Sequence, residues 1–354
     1  MSSPVPVFDG HNDILLRLAT RFPVGAEVDF VTGLTGGHLD LPRMRKGGFV
    51  GGFFAIFIPP VEGFDGGDNL MQGTSYDVPL PALMSDRDAL PMAMKQAGTL
   101  LRMEAASAGA FRVCRSMADI RAARAADAVV AVMHMEGAEA INRDLYGLDV
   151  LYRAGLRSLG PVWSRPTIFG HGVPFRFPSS PDTGPGLTET GERLIRACND
   201  YRMVIDLSHI NEQGFWDVAR LSQLPLVATH SNAHVLCPHA RNLTDRQLHA
   251  IRDSRGMVGL NFATCFLRPD GQLKADTPLS DMLDHLDHLI GEAGIDHVGL
   301  GSDFDGAMIP AAIGDVAGLP VLIEAMRGRG YDEATIAKLA CDNWLALLER
   351  TWGE

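Results

Sequence analysis

A histidine and an aspartate stand two positions apart in Asp9-Gly-His11-Asn-Asp13, directly after the apolar run 4–8. Side chains two apart on an extended segment point the same way. An imidazole and a carboxylate at one strand end are therefore a ready pair of ligands for a divalent cation. A single H-x-D triplet is a weak signal, but ligand-type residues recur at the ends of later apolar runs: Glu136 in His-Met-Glu-Gly-Ala, His209 in Asp-Leu-Ser-His, His230 in Val-Ala-Thr-His-Ser and Asp303 in Gly-Ser-Asp-Phe-Asp. Three imidazoles and three carboxylates suit two metal ions that share one bridging carboxylate. Mixed nitrogen and oxygen donors favour Zn²⁺, with Mn²⁺, Co²⁺ and Fe²⁺ as alternatives. Such a centre lowers the pKa of water and polarises a carbonyl, which is the chemistry of hydrolysis.

These residues need elements that bring them together. Eight short β-rich runs, at 4–8, 50–58, 128–135, 156–163, 202–207, 225–229, 256–262 and 297–301, alternate with helical patterns at 87–108, 116–125, 187–200, 211–222, 244–253, 279–293 and 332–350. Strands alternating with helices predict a parallel sheet, and eight units predict a distorted (β/α)8 TIM-like barrel of the α/β class, formed by residues 1–354 as one domain. An open doubly wound sheet is the alternative, but Asp-Gly-His-Asn after the first strand is not the glycine-rich phosphate turn such a sheet usually carries. Residues 59–86 and 164–187 lack periodicity and follow the second and fourth strands. They read as long substrate-covering loops at the C-terminal face, where a barrel keeps its active site. The ligand candidates end strands 1, 3, 5, 6 and 8, and so converge on that same mouth.

Each candidate also has an ordinary structural reading: a strand-end His is often just hydrogen-bonded, and a strand-end Asp is often a helix cap. Joint placement is what favours ligation. His134 shares a strand face with Glu136 and reads as a support beneath it. His171 lies in the second long loop, within reach of a substrate. His285 and His288 fall on one helix face, and His234 and His239 in a loop or helix start, so packing explains them. Asp305 shares a face with Asp303, and spacing does not choose between the two. Only Lys46, Lys95, Lys274 and Lys338 are lysines, and none ends a strand. The carbamylated lysine that bridges metals in many hydrolases of this fold therefore has no counterpart, which leaves Glu136 as the bridge.

A net charge of −12 argues against nucleic acid and anionic membrane as partners. The five cysteines are odd in number and never form CxxC, so a reducing compartment fits better than a disulfide framework. The N-terminus lacks a basic and apolar leader, and no run reaches the ~18 apolar residues of a membrane span. The expectation is a cytoplasmic protein.

Taken together, these residues resemble the renal (membrane) dipeptidase family, the M19 metallopeptidases of the amidohydrolase superfamily, over essentially the whole chain. The resemblance rests on Asp9-Gly-His-Asn-Asp13; on Glu136-Gly-Ala with Leu148, Tyr152 and Gly155-Leu-Arg157; on Gly186-Leu-Thr188, Gly191 and Asn199 leading to Asp206-Leu-Ser-His209; and on His230-Ser, Arg241-Asn and Gly301-Ser-Asp-Phe-Asp-Gly306. It implies two Zn²⁺ per chain. His11 and Asp13 would hold one, His209 and His230 the other, and Glu136 would bridge them. Asp303 would be the acid/base, Arg241 would hold the substrate's terminal carboxylate, and the chain would be a homodimer. The implied activity is zinc-dependent hydrolysis of dipeptides, L-Xaa-D-Xaa among them, by a metal-bridging hydroxide. Where many members carry a carbonyl-polarising His after strand 4, this chain has Trp163, and His171 in the adjacent loop stands as a replacement. The alternatives are another binuclear amidohydrolase acting on a lactone, cyclic amide or N-acyl amino acid, a mononuclear deaminase, and a metal-stabilised binding protein.

Overall fold

Parallel strands covered on both faces need apolar residues at nearly every position, and all eight residues of Val129–Glu136 are buried. The computed structural model describes residues 4–60 and 70–353. Eight parallel strands form its centre: β1 (Val7–Asn12), β2 (Phe49–Phe57), β3 (Val129–Glu136), β4 (Leu156–Gly160), β5 (Val204–Ile205), β6 (Val227–Ala228), β7 (Met257–Asn261) and β8 (Val298–Gly301). They pair in the order β5-β4-β3-β2-β1-β8-β7-β6. The ring closes where Asp206 bridges Val227 and Leu207 N–H donates to Val227 O at 2.8 Å. The result is the α/β TIM-like barrel expected from the alternation. A short strand, Phe111–Val113, adds to the sheet beside the start of β3.

Helices on the outside begin where the caps dictate. The side chains of Ser85, Ser116, Thr188 and Asn211 accept N–H groups of the first turn, and Thr244 forms a capping box with Gln247. The helices Ile14–Arg21, Glu27–Thr32, Leu41–Gly47, Tyr146–Ala154, Thr264–Leu267 and Leu319–Arg329 lie outside the helical patterns predicted from periodicity. They are short, and short helices owe their stability to tertiary packing more than to local propensity. The predicted helix 332–350 is realised as Glu333–Ala337, a wide π turn at Lys338–Asp342, and Asn343–Trp352. No helix among the described residues is long and apolar enough to cross a membrane.

Alternation along the strands fills the barrel in layers. Phe8, Phe53, Val130, Val132, Val204, Val227 and Met257 form an apolar floor with Trp344, which enters from the last helix. The Trp344 Nε1–H donates to Leu300 O at 2.9 Å. A Cβ built on Gly10, Gly259 or Gly299 would come within 2.6, 3.0 and 2.6 Å of the indole, so these strands use glycine to admit it. Trp344→Ala is expected to lose about 3–5 kcal/mol of stability. Denaturant unfolding followed by circular dichroism checks this, and a loss below about 1 kcal/mol would show that the indole fills no essential space. Above the floor sits a buried polar layer that includes His134, Ser158, Asp206, Thr229 and Asn261.

The two long loops meet each other. Tyr76 pairs with Phe177 and Asp77 with Arg176 in an antiparallel ladder, and Tyr76 Oη donates to Gly271 O at 2.6 Å. Two-residue strands have no periodicity to read, so this pairing is a tertiary fact. Residues 61–69 of the proposed covering loop lie outside the described residues.

Candidate active site

The strand ends deliver the predicted ligands to one point. His11 Nε2 lies 3.2 Å from Asp13 Oδ2 and 3.7 Å from Glu136 Oε2. The other Glu136 oxygen, Oε1, lies 2.9 Å from His209 Nε2 and 3.4 Å from His230 Nε2. One carboxylate thus faces two ligand groups, His11–Asp13 on one side and His209–His230 on the other. Within His11–Asp13–Glu136, and again within Glu136–His209–His230, the ligand atoms lie within 4.8 Å of one another. Asp303 joins a third such group with His11 and His230.

The electrostatics of the cluster favour positive charge. Burial would lower the His11 pKa, but the Glu136 and Asp13 carboxylates outweigh it and raise it to about 10. Burial pushes the Glu136 carboxyl well up, opposed by His11 and reinforced by Asp13 and Asp303. Burial likewise lifts Asp303 to about 6, against the pull of His11. His209 and His230 are held well below the usual imidazole range, first by burial and then by nearby positive groups, Arg241 and His11 among them. They are neutral imidazoles, the form a metal takes. His11 Nδ1 and Asp13 Oδ1 are buried with no hydrogen-bond partner among the described residues. Three imidazoles and crowded carboxylates with spare donor atoms fit divalent metal ions, and a shared Glu136 fits two of them.

Neighbouring side chains aim these groups. Asp9 accepts from Ser302 N–H at 2.6 Å and Ser302 Oγ at 2.8 Å, tying β1 to β8 beneath His11. Asn261 Nδ2 donates to Asp303 Oδ2 at 3.1 Å. Asp303 and Asp305 both hold left-handed backbone conformations, φ 58° and 67°. A Cβ on Gly306 would sit 2.2 Å from Asp13 Oδ2 and 2.4 Å from Asp303 Oδ1, so only glycine lets these carboxylates crowd together. The turn separates the two aspartates that spacing could not. Asp303 points into the centre, while Asp305 Oδ1 accepts from His38 N–H at 2.7 Å and lies 3.8 Å from Arg17.

A cavity of about 430 Å³ opens over the centre, walled in part by Phe57, Trp163, Phe175 and Phe266. Trp163 packs at 4.9 Å from the Phe57 ring and 5.8 Å from the His209 ring. His171 stands outside that wall, its Nδ1 3.1 Å from Gly186 O. Arg241 is 2% exposed and lies behind the histidines. It donates from Nε to His209 Nδ1 at 3.2 Å, from Nη1 to Ser231 Oγ at 2.8 Å and from Nη2 to His230 O at 2.9 Å. Ser164 Oγ is 3.0 Å from the same His209 nitrogen. His285 is structural, bonded to Ala233 N–H and Leu267 O. Sequence reasoning missed two residues here. Asn261 ends β7 and obeys the strand-end rule, but it is not a ligand type. Arg21, the one arginine on the cavity wall among the described residues, ends a helix that periodicity did not reveal.

A model of the family described as membrane dipeptidase (peptidase family M19) matches residues 1–352. An uncharacterized protein in the pqqA 5′ region of Klebsiella pneumoniae is 50% identical over 265 residues, 75% of this chain and 98% of that one. The crystal structure of a metallo peptidase from Rhodobacter sphaeroides, liganded with a phosphinate mimic of the dipeptide L-Ala-D-Ala, is similar with a TM-score of 0.96 at 58% identity, covering 99% of this chain and 100% of that one. The probable dipeptidase PvdM of Pseudomonas aeruginosa shares the fold, with a TM-score of 0.80 at 23% identity over 98% of this chain and 96% of that one.

Proposed function

The chain belongs to the membrane dipeptidase family, peptidase family M19, and is a metallodipeptidase; from that premise we propose that it hydrolyses dipeptides, those with a C-terminal D-residue among them, on two zinc ions held by His11, Asp13, Glu136, His209 and His230. The observation that carries the two-metal reading is the split of Glu136, with Oε2 toward His11 and Oε1 toward His209 and His230. The phosphinate dipeptide mimic bound by the Rhodobacter sphaeroides relative supports the substrate class. The cavity, with aromatic walls over a floor of carboxylate and imidazole groups, suits a molecule of dipeptide size with charged ends.

When bound, divalent cations supply Lewis acidity toward the scissile carbonyl and a lowered pKa for the attacking water. The chain's own groups do the rest. Asn261 occupies Asp303 Oδ2 and leaves Oδ1 to take a proton from the attacking water and return it to the leaving amine nitrogen. Phe57, Trp163, Phe175 and Phe266 exclude solvent around the peptide. His209 can ligate through Nε2 only with its proton on Nδ1, where Ser164 Oγ accepts it. The Arg241 Nε–H then needs another acceptor; Arg241 lies behind His209 and off the cavity wall, and a substrate carboxylate reaching past that wall to the buried guanidinium would supply one.

Metal analysis and turnover of one purified sample test this reading. About two zinc per chain, with chelator-sensitive cleavage of L-Ala-D-Ala or L-Ala-L-Ala, is expected. Bound metal with no dipeptide cleavage, but turnover of lactones or N-acyl amino acids, would overturn the substrate. Arg241→Lys keeps the charge and loses the planar fork. It should raise KM about tenfold, the worth of a charge-assisted hydrogen bond. Unchanged KM in a variant with full metal content would remove Arg241 from carboxylate binding.

A further inference from the structure

We propose that Asp206 and Thr229 form a proton-ordering relay that holds His230 in the tautomer able to bind metal, with Thr229 Oγ1 as its obligatory middle member. The inference rests on the metal site described above and extends it to residues that do not themselves ligate.

Asp206 follows β5 and lies in the buried polar layer beneath the ligands, 3% exposed. Its Oδ1 accepts from Ser208 N–H at 3.1 Å, Ser208 Oγ at 2.6 Å and Thr229 N–H at 2.8 Å. Its Oδ2 is 2.8 Å from Thr229 Oγ1. Thr229 Oγ1 is in turn 2.8 Å from His230 Nδ1. A hydroxyl has one hydrogen to give. Asp206, as a carboxylate, only accepts, so the Thr229 hydrogen goes to Oδ2, and Oγ1 must accept from His230. The proton of the neutral imidazole is therefore on Nδ1, and Nε2, the nitrogen that faces Glu136 and His209, is left with a free lone pair.

The neighbouring hydroxyl obeys the same logic. Ser208 Oγ gives its hydrogen to Asp206 and accepts from His230 N–H at 3.1 Å. One carboxylate thus sets both the ring proton and the backbone position of His230. The opposite order, with Thr229 donating to Nδ1, would place the imidazole proton on Nε2 and block ligation. His134 Nε2, 3.5 Å from Asp206 Oδ2, adds a further contact on the same oxygen.

A purely structural role is the competing account, because Asp206 also helps join β5 to β6. Thr229→Val and Thr229→Ser separate the two. Valine keeps the shape and the backbone N–H but has no hydroxyl, whereas serine keeps the hydroxyl. Zn²⁺ affinity is measured by competition with a chromophoric chelator, alongside thermal unfolding of the metal-free proteins. Thr229→Val should bind one of its metals about 10–100-fold more weakly, the usual cost of losing the group that orients a ligating histidine. Thr229→Ser should stay within about threefold of the wild type. If Thr229→Val binds as tightly as the wild type, or Thr229→Ser is as weak as Thr229→Val, the relay is wrong while the metal site stands. If the wild-type chain binds no divalent metal, the reading of the site and the relay fall together.

Discussion

Glu136→Gln is expected to lose most of the bound metal and at least about a thousandfold in kcat/KM, on the order of 4 kcal/mol of transition-state stabilisation. The carboxylate is placed to serve both ligand groups at once, with Oε1 2.9 Å from His209 Nε2 and Oε2 3.7 Å from His11 Nε2. A carboxamide is uncharged and has one good acceptor oxygen, so it satisfies at most one side. Metal analysis and turnover on the same preparation check both statements. Two tightly bound metals and near-native turnover in Glu136→Gln would end the bridging assignment.

Asp303→Asn should behave differently: both metals retained, KM little changed, and kcat reduced about 10²–10⁴-fold, the usual contribution of a positioned acid/base. The Asn261 side chain that holds Asp303 Oδ2 is neutral and can bind an amide oxygen equally well, so the geometry survives and only the proton acceptor is lost. A kcat within about threefold of the wild type, at full metal occupancy, would remove Asp303 from proton transfer. Loss of metal along with kcat would instead make it a ligand, as its place in a group with His11 and His230 permits.

Much of this centre is legible along the chain because a parallel barrel carries the C-terminal ends of all its strands to one mouth. His11, Glu136, His209 and His230 stand at such ends, and eight apolar runs with capped helices between them are a strong local signal for the fold. The helix Ile14–Arg21 is less legible: it begins at the residue after Asp13, and its buried face becomes meaningful only once β1 and β2 are beside it. The glycines opposite Trp344 are equally silent, since the indole that requires them arrives from the far end of the chain.

Residue types and their order mark out the candidate donor groups and the side of the barrel on which they gather, because these follow from strand direction and ligand chemistry. Which of Asp303 and Asp305 enters the centre, where Arg241 spends its donors, that Trp163 rather than His171 walls the cavity, and which His230 nitrogen carries the proton are decided by tertiary structure. Each of those outcomes depends on a turn's dihedral angles or on the direction of a hydrogen bond between groups distant in sequence. A linear pattern states neither.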